Sequence, residues 1–483
     1  MVPPIRITGL NDREPNPQGD FVLYCMTAFR RSEWNFSLDR ALQLCQQLQK
    51  PLLVLEMLKS DYRWHSARFH DFILRGMADN QLVFQKNGIS YFPYVEHQAG
   101  AAAGLTDQLV ARSCLTIVDD FPCFFLPAWN RLLARKSPVR VEMIDSNGLL
   151  PMRAADKVHS RAHFFRTFLQ KTLTHHLIEF PSPTPFEDFQ FPRSPLDLEH
   201  EKKRWCPADF SDISGLISSL PVNQQVPAIS NAGGSRRAKT ILQEFAEHKL
   251  QHYPEDRNSP QKNGTSGLSP YLHFGHLSSH QLFHEIMTAD GWHPGKIAPQ
   301  PTKKAEGWWG VSAQLEPFLD QLTTWREIGF NMAWQKPRFD RFESLPAWAQ
   351  TTLNQHQSDP REFSYSLEEF ENSLTHDPLW NAAQNQLKRD GMIHNYLRML
   401  WGKKILHWSS SPRTALAIMI ELNNKYALDG RNPNSYSGIF WTLGRYDRAW
   451  GPERPVFGKI RYMTSENTAR KHRVKEYIKK YQR

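Results

Sequence analysis

Cysteine is scarce in this chain. Cys25, Cys45, Cys114, Cys123 and Cys206 are the only five, an odd number with no CxxC pair among them. That argues against a disulfide framework or a zinc site and fits a reducing compartment. Long apolar runs are missing too. No stretch reaches the roughly 18 uncharged apolar residues a membrane span needs. The opening residues MVPPIRITGLNDREP contain no apolar signal region, so the chain is expected to stay in the cytoplasm. Two nucleotide-binding fingerprints are absent as well. No GxGxxG follows the first apolar run and no GxxxxGK[ST] occurs anywhere. The N-terminal part therefore does not declare a ligand.

What is present is length, positive charge and indole. A chain of 483 residues is too long for one core and suggests two or three domains. A hydrophobic fraction of 40% is enough to build them. Lys and Arg number 59 against 49 Asp and Glu, a net charge of +10, which points toward a polyanion. The 15 tryptophans exceed what core packing usually uses. Indoles also stack on bases and carry electrons.

The first 150 or so residues alternate between two periods. Apolar runs at 21–29, 51–58, 89–95, 114–121 and 139–145 read as buried strands. Helical patterns at 37–49, 66–87 and 124–136 lie between them. This rhythm predicts a Rossmann-like α/β domain with a parallel sheet covered on both faces, assigned to residues 1–155. Residues 156–232 contain one helical stretch and then FPSPTPFEDFQFPRSP, whose prolines block regular structure. They read as an interdomain linker wrapping a surface, with aromatics that argue for packing. From Gly233 onward apolar residues recur at spacings of three and four, which predicts an all-α domain over 233–483. Ser266 and Ser278 stand where helix N-caps belong.

Four segments of the helical half carry chemistry. Gly264 to Pro270 cluster small and hydroxyl residues ahead of a helix, which reads as a turn or as a nest of N–H groups suited to a diphosphate. Tyr253 and Arg257 lie just upstream of it. In the second segment, Trp380 and Trp401 stand about six helical turns apart, with Gly391 between them as a break. Arg398 lies among apolar residues there and needs a carboxylate or a ligand. The third segment, DGRNPNSYSG, reads as a long polar loop. It offers Asp429 as the partner for Arg398, while Asn423 sits on the helix end leading into it. The fourth is the tail, with Lys459, Arg461, Arg470, Lys471, Arg473, Lys475, Lys479, Lys480 and Arg483 among Phe457, Tyr462, Tyr477 and Tyr481. That mixture suits a phosphate backbone beside exposed bases.

SGLSPYLHFG, THDPLWNA, LRMLWGKKILHW, LNNKYALDGRNPNSYSG and FGKIRYM, in that order, resemble the class II DNA photolyases of the photolyase/cryptochrome family. The likeness is dense from Tyr253 to Met463 and weaker toward the N-terminus. It implies an α/β antenna domain, a helical domain holding FAD, and light-driven splitting of cyclobutane pyrimidine dimers in DNA by the reduced, anionic flavin. Tyr253, Arg257, Ser266, Gly267, Leu268, Ser269, Arg398, Asn423 and Asp429 would hold the FAD, with Asn423 facing its N5. Glu327 would hydrogen-bond the dimer, for which it must be protonated and its pKa raised. Trp441 would line the dimer pocket, and Arg448 and Arg461 would fill the gap left by the flipped dimer. Trp380 and Trp401 would pass electrons to the flavin. No metal is implied, and the expected partner is lesion-bearing DNA, met by a monomer, on the nucleoid if the source is bacterial. The antenna chromophore, a deazaflavin or a folate in this family, has no diagnostic motif here.

Three departures from the family pattern stand out. WREI followed by Gly329 and Phe330 replaces RREL, Tyr446 stands where a His precedes Asp447, and TSENTARKHRV follows FGKIRYM in place of a Cys-containing segment. The alternative reading is a cryptochrome-type photoreceptor that signals without repair. A third is a DNA-binding protein that has lost its flavin, which would be colourless.

Overall fold

The computed structural model of the chain describes residues 1–482; Arg483, counted above with the basic tail, lies outside the described residues. The chain forms two compact units. The first comprises Met1–Asp156, Thr172–Gln243 and Gly267–Pro294. The second comprises Lys157–Lys171, Glu244–Ser266 and the chain from Gly295 onward. These limits differ from a division at 155 and 232, because most of the stretch read as a linker packs into the first unit. Phe186 joins one core cluster, with Phe189 and Phe191 against it, while Leu198 and Trp205 join a second. Each large apolar side chain buried this way contributes about 1.5–3 kcal/mol, so a proline-rich segment can be pinned without regular structure.

The first unit is an α/β domain built on a six-stranded sheet. Its strands are β1 (Ile7–Gly9), β2 (Phe21–Met26), β3 (Leu52–Leu58), β4 (Ser90–Val95), β5 (Ser113–Asp119) and β6 (Val141–Ile144). They lie in the order β1-β6-β5-β2-β3-β4, all parallel except the edge pair of β1 with β6. β2 is buried along its whole length, as expected of a strand covered on both faces. The helices α1 (Phe36–Leu48), α2 (Ala67–Lys86) and α4 (Leu126–Lys136) fall where the helical period placed them, and α3 (Leu105–Arg112) and β1 are additional. Beyond the carboxyl ends of the strands, Asp119 accepts the N–H groups of Thr27, Ala28 and Phe29 at 2.8, 2.7 and 2.9 Å and the Tyr24 hydroxyl at 2.8 Å. This satisfies a buried carboxylate at the start of the β2–α1 loop.

The second unit is helical. The helices that matter for the site are α5 (Arg326–Gln335), α6 (Pro378–Asp390), α7 (Asn395–Trp408), α8 (Pro412–Tyr426), α9 (Pro433–Thr442) and α10 (Lys475–Tyr481). Asp377 caps α6 by accepting the N–H groups of Leu379 and Trp380, each at 3.0 Å. Gly391, at φ 68°, ends α6 in the left-handed conformation that favours glycine, so α6 and α7 are separate helices. Before α5 the chain makes a π-helical turn over Asp320–Trp325, a feature common at functional sites.

Two local expectations are corrected. The polar stretch DGRNPNSYSG is not one long loop. Asn432 caps and Pro433 opens α9, so its second half is helical. Ser278 does cap a helix, accepting from the His280 N–H at 3.1 Å. Ser266 does not, because the chain turns left-handed at Gly267 (φ 70°) and the short helix Ser269–His273 starts beyond it. No helix among the described residues is long and apolar enough to cross a membrane.

Candidate functional site

In the second unit, α7 carries Arg398 and the loop after α8 carries Asp429. Arg398 donates to both carboxylate oxygens of Asp429, at 3.2 and 2.8 Å, a two-pronged pair that is mostly buried. The Nε–H of the same guanidinium is buried and has no hydrogen-bond partner among the described residues. Asn423, near the end of α8 and 2% exposed, donates from Nδ2 to Ser435 Oγ at 2.9 Å on α9. Its neighbour Asn424 donates to the Tyr436 hydroxyl at 2.9 Å. These amides tie α8 to α9. The donor set fits the flavin that the resemblance implies. An orphaned guanidinium N–H and an amide held in one orientation are groups that a heteroaromatic ring with carbonyls and ring nitrogens can engage.

Tyr253 is buried, its ring edge-on to Phe245 at 5.9 Å and to Phe318 at 5.4 Å. Arg257 stands over the same ring at 5.3 Å, the pairing expected of adjacent helical turns. Burial raises the Tyr253 hydroxyl pKa, which keeps it a neutral donor. Ser266 belongs to this unit, whereas Gly267, Leu268 and Ser269 belong to the first. Leu268 is buried and Ser269 opens its short helix.

Trp380 and Trp401 are 0% and 2% exposed and are brought together where α6 crosses α7. The Trp380 indole N–H donates to the Trp401 carbonyl at 3.1 Å, and the Trp401 N–H donates to Gln384 Oε1 at 2.9 Å. Trp408 was not singled out from sequence. Its ring lies 6.2 Å from that of Trp380, and Tyr365 lies 5.8 Å beyond it. The half-exposed Tyr365 shares a 2.8 Å hydrogen bond with His376 Nδ1. The available signal was the spacing: Trp401 and Trp408 are two helical turns apart on α7.

The residues matched to the dimer pocket lie on α5, on α9 and beyond it. α5 packs directly on α9, and Gly329 allows this. A Cβ there would stand 2.8 Å from the Pro433 carbonyl oxygen. Glu327 lies in the first turn of α5 and is 4% exposed. Trp441 closes α9 half-buried, with Lys403 Nζ 5.0 Å and the Arg461 guanidinium 5.5 Å from its ring centre. Arg461 grips Asp447 at 2.9 and 3.2 Å, and Trp450 donates its indole N–H to the same carboxylate at 3.2 Å. Burial pushes the Asp447 carboxyl up, but Arg461, the Arg448 N–H and Trp450 outweigh it and hold it below the ordinary carboxylate range. Arg448 is exposed and lies over Trp450 at 4.5 Å. Tyr446, where a His was expected, is buried at φ 65° and donates to the Ile328 carbonyl at 3.3 Å, a further tie to α5. Lys403, Asp447 and Trp450 are thus members of the cluster that sequence reasoning did not place there.

The tail needs correction. Lys459, Arg470, Lys471, Arg473, Lys475, Lys479 and Lys480 are exposed and Arg461 is half-buried, but Phe457, Tyr477 and Tyr481 are 1%, 3% and 5% exposed. The two tyrosines anchor α10 on α6. Tyr477 donates to Gln386 Oε1 and Tyr481 to Asp390 Oδ2, both at 2.7 Å. These three rings support the charges and do not stack on bases.

Nearly the whole chain is similar to proteins named deoxyribodipyrimidine photo-lyase. Identity is 33% with the one from Methanothermobacter thermautotrophicus, covering 99% of this chain and 98% of the relative. It is 32% with that of Arabidopsis thaliana, over 95% and 88%, and 31% with that of Potorous tridactylus, over 96% and 81%. The fold matches the crystal structure of a bacterial class III photolyase from Agrobacterium tumefaciens with a TM-score of 0.69 at 16% identity, covering 96% of this chain and 86% of that one. No family model matches.

Proposed function

The chain belongs to the photolyase/cryptochrome family, and on that premise we propose that it is a class II photolyase that splits cyclobutane pyrimidine dimers in DNA. The family implies a flavin cofactor, and FAD is the form proposed here. The observation that carries the repair reading is the half-exposed Trp441 with cations at its face and the Arg461–Asp447–Trp450 cluster beside it. An aromatic wall rimmed by positive charge suits a pair of bases swung out of a helix together with its phosphates. Extrusion costs least where damage has already weakened pairing, which gives the lesion its advantage.

Each residue then has a task. Arg398 and Asp429 offer a fixed charge pair to the flavin, with Asn423 beside them. Tyr253, Arg257 and the turn Ser266, Gly267, Leu268 and Ser269 hold the rest of the cofactor. A bound flavin would supply light-driven one-electron chemistry with no net redox change, and these residues would hold it. Glu327 hydrogen-bonds the dimer. Arg461 and Arg448 occupy the space the dimer leaves. Trp401, Trp380 and Trp408 form a line of one-electron carriers between the buried site and the half-exposed Tyr365. The exposed basic residues of the tail meet the phosphate backbone, and the enzyme acts as a monomer.

The test is to mix reduced protein with DNA carrying a thymine dimer, in the dark and in blue light. Restoration of thymines in light alone is expected. Flavin photoreduction without restoration would refute repair and leave the photoreceptor reading.

A further inference from the structure

Lys403 and Lys404 are adjacent on α7 and both are buried, at 0% and 6% exposure. Each sets its ammonium against an indole, Lys403 on Trp441 and Lys404 on Trp408, both at 5.0 Å. Their partners differ. Lys404 faces the Asp377 carboxylate at 3.9 Å. Lys403 makes no ion pair among the described residues and donates to the Thr442 carbonyl at 2.7 Å. A fully buried cation without a carboxylate is costly to keep. Thr442 follows Trp441, so the anchor and the ring that Lys403 touches are neighbours in the chain.

We propose that Lys403 is a positioning residue of the lesion pocket: tethered to the Thr442 carbonyl, its ammonium holds the Trp441 indole by cation–π attraction and makes lesion recognition depend on pH. The inference rests on the reading of Trp441 as a wall of the dimer pocket. It is a deeper account of that pocket, since the resemblance assigned this lysine no role.

Charges around Lys403 support the pH dependence. Burial lowers its pKa, Asp447 raises it, and Arg461 lowers it further, for a net value of about 7. α9 carries no charged side chain. The charges of α6 and of both ends of α8 are engaged elsewhere: Asp377 with Lys404, Lys388 and Lys425 with Glu371, Arg389 with Asp390, Arg413 with Glu343. Asp447 is held below the ordinary carboxylate range, so it stays ionised between pH 6 and 9. His407, on the same helix, is pushed down to about 4 and is neutral throughout. A lowered lysine pKa means that the ammonium is present below it and lost as pH rises through it.

The experiment measures dark binding of the flavin-loaded full chain to a labelled oligonucleotide with one thymine dimer and to its undamaged twin, from pH 6 to 9 at constant ionic strength. The preference for the dimer should fall about fivefold across a midpoint near neutrality, the loss of one cation–π contact on a half-exposed ring. Lys403→Met should give a low, flat profile. The effect of Lys403→Met should vanish on a Trp441→Leu background, because the lysine acts through that ring. A wild-type preference that ignores pH overturns the inference, and so does a Lys403→Met effect undiminished by Trp441→Leu. The wild-type profile needs no variant, so a poorly folded Lys403→Met leaves the test standing. No preference for damaged DNA at any pH would sink the pocket reading itself, and this inference with it.

Discussion

Gly329→Ala separates packing from helix propensity by sign. In an unpacked helix, alanine is favoured over glycine by about 1 kcal/mol. At Gly329 the added Cβ would stand 2.7 Å from Ser437 Oγ, 2.8 Å from the Pro433 oxygen and 2.9 Å from the Pro433 carbonyl carbon. Ser437 donates to that same Pro433 oxygen at 3.1 Å, so the methyl would also wedge into a hydrogen bond of the first turn of α9. A hydroxyl can turn aside, but backbone cannot, so α5 and α9 must separate. Overpacking of this kind costs about 1–3 kcal/mol, which cancels the propensity gain and leaves a net loss of up to about 2 kcal/mol. Gly438→Ala on α9 is the control. It is exposed, and a Cβ there meets nothing within 4 Å, so it should gain up to about 1 kcal/mol. The assay is urea unfolding followed by circular dichroism, comparing midpoints at unchanged slope. Because α9 ends in Trp441, Gly329→Ala should also weaken binding to dimer-containing DNA, while Gly438→Ala gains stability. If both substitutions stabilise alike, the close approach of α5 and α9 does not hold the site together.

Other perturbations reach other parts of the site. Asp429→Asn leaves Arg398 half-paired in a mostly buried setting, so stability should fall by about 1–3 kcal/mol. Flavin retained through purification should drop with it, and full retention at unchanged stability would refute the pair's role. Trp408→Phe and Trp401→Phe should each slow flavin photoreduction while repair by pre-reduced enzyme stays nearly intact; equal loss of both activities would remove these rings from the electron path. Asp447 titrates below the ordinary carboxylate value in the folded state. The stability it contributes is therefore present above about pH 4, its unfolded value, and lost as pH falls through the lower folded value. Wild type should lose stability below pH 4 more steeply than Asp447→Asn, and parallel acid slopes would contradict this.

Strands were legible where they are buried on both faces. β2 is a continuous apolar run and β3 to β5 are dominated by apolar residues, and such runs have few other structural uses. β1 is three residues long with half-exposed positions, so it has no pattern of its own; its pairing with β6 is decided by the sheet. The proline-rich stretch is irregular apart from one helical turn at Pro185–Asp188, and nothing local says which surface its phenylalanines meet. Gly391 was legible as a break because a left-handed C-cap is a backbone requirement. The start of α9 was hidden for the opposite reason. Asn432 and Pro433 look like loop residues and are in fact a cap and a first-turn proline.

The site was legible where two residues of opposite character stand among apolar neighbours. Arg398 demanded a carboxylate, and Asp429 was the one at hand. Lys403 and Lys404 defeat that logic. Two adjacent lysines ordinarily read as a solvated face, because successive residues of a helix point about 100° apart and one of the pair should reach water. α7 is buried on nearly every side, so it has no wet face to receive either one. The two ammoniums instead diverge to two indoles, one at the end of α9 and one a single turn ahead on the same helix. Only the crossing of α7 with α9 makes the first pairing, and no spacing along the chain encodes that crossing. The tryptophan excess is then explained by position more than by number. The indoles with tasks are held across helices or turns, Trp380 by the Trp401 carbonyl, Trp401 by Gln384, Trp408 by Lys404 and Trp441 by Lys403 and Arg461, and those contacts become visible once the helices have packed.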